Sequence, residues 1–168
     1  ELIKEVKTLP EKIAKILEDK ERIQWFASKQ VNAHDVFFVG RGIDYAVCLE
    51  GSLKLKEISY IHSEAYTAGE LKHGPISLLE DGTLVIAIAT YQKLFDKMMS
   101  NVREVKARGA VVLGITVRGK EEALKQETDY QFCVPDITDF MLPSLSILPL
   151  QLFAYYVASM KGCDIEDR

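Results

Sequence analysis

Three short stretches, Val36–Val39, Leu84–Ala89 and Val111–Val117, are apolar or nearly so at every position, and each is bounded by turn residues. A strand with one wet face alternates apolar and polar side chains. An unbroken apolar run of four to seven residues instead fits a strand buried on both faces. Between these runs lie segments whose apolar residues recur at helical spacing, such as Met98, Val102 and Val105 within 94–108. Strands buried on both faces and joined by helices require parallel pairing and right-handed crossovers. The chain is therefore expected to form a three-layer α/β sandwich around a five-stranded parallel, flavodoxin-like sheet.

The remaining elements follow from local signals. Leu9-Pro10-Glu11 is read as the start of a helix running to about Gln30, with proline at a first-turn position and Ile13, Ile16, Leu17, Ile23 and Phe26 on its apolar face. Gly40-Arg41-Gly42 makes a tight turn into a helix from about Asp44 to Tyr60. Ser63–Thr67 is a short strand, and Gly69–His73 a single helical turn stopped by Gly74-Pro75. A short helix at Glu121–Gln126, a fifth strand at Tyr130–Val134 and a long apolar helix at Leu142–Met160 complete the series. One domain is expected over 1–168, with its α/β core at about 36–160.

Composition narrows the function. A net charge of -4 without any basic block argues against nucleic acid as a partner. The apolar run near Leu142–Ala158 is interrupted by Pro143, Pro149 and Gln151, so no membrane span is expected. Three widely spaced cysteines, Cys48, Cys133 and Cys163, suit a reduced, cytoplasmic protein, and no metal-ligand spacing or cofactor motif is present. Neither G-x-x-x-x-G-K-[ST] nor G-x-G-x-x-G occurs, and the two glycines at Gly40 and Gly42 are explained by the turn itself. The segment Ala89-Thr90-Tyr91-Gln92 lacks clustered serines and threonines that would hold a sugar phosphate.

The chemistry concentrates between Cys48 and Pro75. At about 100° per residue, Glu50, Lys54 and Glu57 fall within roughly 60° of one another around one helix. Lys56 points away from them. Glu57 could serve as a proton-transferring base, with Lys54 keeping it ionised. An ion-pair ladder on a solvated face accounts for the same spacing. His73 could be an acid–base group, since its ordinary pKa is near neutrality. A histidine that only supports its loop fits equally, and His34 and His62 have no stronger claim.

The run LEGSLKLKEISYIHSEAYTAGELKHGP, together with the closing ILPLQLFAYYVASMKGCDIEDR, resembles the second sugar isomerase (SIS) subdomain in the isomerase half of the glutamine:fructose-6-phosphate amidotransferases. The resemblance covers nearly the whole chain and implies the five-stranded parallel SIS fold. In that family fructose 6-phosphate and glutamine give glucosamine 6-phosphate. Carried onto this sequence, the resemblance implies that Glu57 moves a proton between C1 and C2 of the sugar, with Lys54 and Glu50 as polar neighbours. His73 would open the sugar ring in the site of a neighbouring subunit, which implies a homodimer.

The family's glutamine-hydrolysing domain, its first SIS subdomain and a tail lysine that forms an imine with the sugar have no counterpart in these 168 residues. Lys161 is on the last helix and does not replace that lysine. The chain is accordingly expected to be a fragment, inactive alone. A free-standing phosphosugar-binding module and a self-sufficient aldose–ketose isomerase are the competing expectations.

Overall fold

A computed structural model describes residues 2–165. Its order is α1 (Leu2–Glu18), α2 (Lys20–Gln30), β1 (Asp35–Gly40), α3 (Ile43–Ser59), β2 (His62–Thr67), β3 (Leu84–Ala89), α4 (Phe95–Lys106), β4 (Val111–Val117), α5 (Glu121–Lys125), β5 (Tyr130–Val134) and α6 (Leu142–Lys161). Two 3-10 turns, Ala68–His73 and Pro75–Leu78, join β2 to β3. All pairings are parallel and the strand order is β2-β1-β3-β4-β5. That order is the flavodoxin-like one, in which the chain reverses direction across the sheet between β1 and β3.

The strands divide the core by alternation. Val36, Phe38, Leu84, Ile86, Ile88, Ile115 and Phe132 face a layer built from α1, α2, α3 and α6. Phe37, Val39, Val85, Ala87 and Val112 face the other, where α4, Leu124 of α5 and the turn residues Ala68 and Leu71 pack. The three central strands are covered on both sides, which is why their sequences show no polar alternation. The edge strands β2 and β5 read HSEAYT and YQFCV, with only part of each buried.

α3 and α6 approach closely because residue 51 is glycine. A Cβ there would lie 2.4 Å from Leu150 Cδ1 and 3.2 Å from the Phe38 ring. α6 has the length and composition of a membrane-crossing helix, yet half of that apolar window is buried within the fold. Its residues Leu145, Leu150, Phe153 and Val157 form the core of the first layer. Neither proline breaks it, since Pro143 stands in the first turn and Pro149 is accommodated inside the helix.

The N-terminal region differs from the single helix expected over 10–30. α1 begins at Leu2 and carries Pro10 in its interior, and a break at Asp19 separates it from α2. Pro10 cannot donate to the carbonyl of Val6, but on a helix with only Ile16 fully buried, water can satisfy that carbonyl. At the break, Asp19 N–H donates to the Ile16 carbonyl and the Asp19 carboxylate accepts from Arg22.

Candidate functional site

The charged triplet is on α3 as its spacing requires. Lys54 Nζ lies 2.8 Å from Glu57 Oε2 and 3.8 Å from Glu50 Oε1. The three side chains are 37–46% exposed, so they stand on the surface beside the first core layer. The hydrogen bond to Glu57 raises the pKa of Lys54 above its ordinary value, and Lys54 is a fixed cation between two carboxylates. Glu57 gives one oxygen to Lys54, and its Oε1 has no hydrogen-bond partner among the described residues. Lys56 points elsewhere, into a shallow cleft with Leu49, Leu53, Glu64 and Tyr66.

His73 ends the turn Ala68–His73, is exposed, and makes no side-chain hydrogen bond or ion pair among the described residues. Gly74 follows with φ 142 and ψ -53, a conformation open to glycine, and this stops the turn. The turn packs through Ala68 and Leu71 into the α4 layer, whereas α3 packs into the α6 layer. The segments that carry His73 and Glu57 are thus anchored on opposite faces of the sheet. Within one chain the structure brings Glu50, Lys54 and Glu57 together and does not bring His73 to them. A cleft of about 450 Å³ at the β5 edge, walled by Trp25, Phe26, Tyr130, Phe132 and Pro149, contains none of the four residues.

Asp44 belongs to no recognisable motif in the sequence. It stands in the first turn of α3 at 3% exposure, at the point where the sheet's strand order reverses. Its carboxylate accepts from Thr90 Oγ1 at 2.5 Å, from Thr90 N at 2.9 Å and from Tyr91 N at 2.9 Å. Burial pushes its pKa up to about 6 against the opposing pull of those hydrogen bonds. In doubly wound sheets the crevice beyond the strand ends at this reversal is the usual ligand site. Here two backbone N–H groups and the threonine hydroxyl that face it are already engaged by the protein's own carboxylate. Gly42, with φ 58, makes the turn that brings Asp44 there. No local sequence pattern marks this pairing, because Asp44 and Thr90 are 46 residues apart.

Residues 31–161 match the SIS domain family, and the chain belongs to it. More narrowly, it is 55% identical over 166 residues to the isomerizing glutamine–fructose-6-phosphate aminotransferase of Caldanaerobacter subterraneus subsp. tengcongensis, covering 99% of this chain and 27% of that protein. It is 53% identical over 159 residues to the same-named protein of Clostridium acetobutylicum, covering 95% of this chain and 26% of that protein. The C-terminal domain of glucosamine-fructose-6-phosphate aminotransferase from Francisella tularensis superposes with a TM-score of 0.92 at 35% identity, over 96% of this chain and 45% of that one. The chain thus spans about a quarter of the length of the curated relatives it matches.

Proposed function

We propose that this chain is the second SIS domain of an isomerizing glutamine–fructose-6-phosphate aminotransferase. In that reading it supplies catalytic groups for converting fructose 6-phosphate to glucosamine 6-phosphate in the cytoplasm. The observation that carries the reading is the Glu50–Lys54–Glu57 cluster on α3, held by contacts of 2.8 and 3.8 Å in a domain 55% identical to such enzymes. Glu57 takes the proton from C1 of the sugar and returns it to C2, so the carboxylate is regenerated and charge balances over the step. Lys54 pairs with the base at 2.8 Å, and Glu50, 3.8 Å from Lys54 Nζ, helps hold Lys54 in place. His73 protonates and opens the sugar ring.

Because the His73 turn and α3 are anchored on opposite faces of one sheet, the reading requires His73 to act in the site of a second copy. A homodimer follows. The sugar's phosphate is anchored outside this domain, since Asp44 already engages the Thr90 and Tyr91 donors at the strand reversal.

The test uses a full-length enzyme containing this sequence, with exchange of the sugar's C1 proton followed by NMR. Glu57→Gln is expected to slow exchange by at least a thousandfold while fructose 6-phosphate still binds. Exchange at the parent rate in that variant would remove Glu57 from the mechanism.

A further inference from the structure

Three segments meet beneath the His73 turn through a circuit of polar side chains. Arg41, in the loop after β1, donates from Nε to Asn101 Oδ1 at 2.9 Å. Asn101 Nδ2 donates to Glu104 Oε2 at 3.2 Å, and Glu104 Oε1 pairs with Lys72 Nζ at 2.8 Å. Lys72 immediately precedes His73. The Arg41 guanidinium also lies close against the turn. A Cβ on Gly69 would meet its NH2, NH1 and Cζ at 3.3, 3.5 and 3.6 Å.

Asn101 is the informative member. It is 4% exposed in the middle of α4, where asparagine is a poor helix former and a buried amide must be satisfied. An arginine can only donate and a carboxylate can only accept, so the amide has one orientation that serves both partners. Glu104 is partly buried, which works against its charge, but the hydrogen bonds from Lys72 and Asn101 outweigh this and hold its pKa below the ordinary value.

A six-residue 3-10 turn has weak internal hydrogen bonding and needs outside support. Ala68 and Leu71 anchor its apolar side, while Lys72 and His73 at its far end are exposed.

We propose that Arg41, Asn101, Glu104 and Lys72 are positioning residues that fix the Ala68–His73 turn and so set where His73 stands. The proposal rests on the reading of His73 given above. None of the four is required to touch the sugar. Their effect is on the fraction of time His73 spends in its working position.

Two measurements test it. In the 168-residue chain, hydrogen exchange of amides 69–73 is expected to speed at least tenfold in Lys72→Met and in Asn101→Leu. Amides of β3 and β4 keep their protection, and Lys72→Arg restores that of the turn. Unchanged exchange of the turn in Lys72→Met overturns the proposal, whether or not Asn101→Leu folds. In a full-length enzyme containing this sequence, Lys72→Met is expected to lower kcat about tenfold with KM for fructose 6-phosphate unchanged, and Lys72→Arg to recover it. His73→Asn separates the two ideas. If that variant is fully active, the reading of His73 fails. If it is inactive while Lys72→Met, with a loosened turn, keeps full kcat, the positioning proposal fails and the reading of His73 stands.

Discussion

Asp44 and Thr90 are 46 residues apart in sequence and meet through a 2.5 Å hydrogen bond across the carboxyl ends of β1 and β3. Thr90 N and Tyr91 N donate to the second oxygen of the same carboxylate. The contact ties the start of α3 to the loop after β3. Removing the carboxylate with Asp44→Ala strands three donors at a nearly closed site, each costing about 1–3 kcal/mol when left unsatisfied. A loss of at least 2 kcal/mol is expected in denaturant unfolding at pH 7. A loss under 0.5 kcal/mol would mean that the loop rearranges to satisfy those donors.

The same residue predicts a pH dependence with a definite sign. Its pKa is about 6 in the fold, against an ordinary value of 3.8. A raised carboxylate pKa means that the folded state holds the proton more tightly than the unfolded chain. The stabilisation from protonation is complete below pH 3.8 and is lost as pH rises through 6. At about 1.4 kcal/mol per pKa unit this amounts to roughly 2–3 kcal/mol. Glu104 and Asp129, both held below their ordinary values, act oppositely at lower pH. The comparison to make is therefore the parent minus Asp44→Asn. That difference should fall by this amount between pH 4 and 6.5 and then level off. A difference independent of pH would contradict the burial of a titrating Asp44.

Phosphosugar binding by the isolated chain should be absent. With the amides of Thr90 and Tyr91 and the Thr90 hydroxyl committed to Asp44, an incoming phosphate at the strand reversal would meet a carboxylate and no free donors from these groups. Calorimetric titration with fructose 6-phosphate or glucosamine 6-phosphate is expected to give no binding heat at millimolar ligand. A sub-millimolar Kd would favour a free-standing sugar-phosphate module.

The α3 cluster should matter little to folding. Exposed ion pairs contribute about 0–1 kcal/mol, so Glu57→Gln and Lys54→Met should each change unfolding free energy by less than 1 kcal/mol. A larger loss would mean that the cluster serves the fold, and its role in proton transfer would lose its distinctive support.

The close approach of α3 and α6 gives a packing test. Gly51→Ala places a methyl 2.4 Å from Leu150 Cδ1. Overpacking is expected to cost about 1–3 kcal/mol, partly offset by alanine's better helix propensity. Adding Leu150→Val should return part of the loss, and an additive double variant would show that the two residues do not compete for space.

What was legible in the sequence was what depends on neighbours. β1, β3 and β4 announced themselves because central parallel strands are apolar on both faces. The Glu50–Lys54–Glu57 cluster followed from helix periodicity alone. The relations that organise the strand reversal were not legible. Asp44 reaches a residue 46 positions away and Arg41 one 60 positions away, and no local pattern encodes such pairs. α1 starts well before Pro10, although proline is a strong sign of a first helical turn, because the tolerance of Pro10 depends on solvent around an exposed helix. Periodicity also ran through the break at Asp19 without a glycine or proline to mark it.

Glu57 and His73 are proposed to serve one site from two different copies of the chain. Mixing separately inactive Glu57→Gln and His73→Asn forms of a full-length enzyme and allowing subunits to exchange tests it directly. If the site is shared, each mixed dimer holds one site with both groups intact, and an equal mixture should recover about a quarter of parental activity. If both groups serve the same copy, every site in the mixture is defective. Activity would then stay at the level of the single variants, and the shared-site account would be wrong.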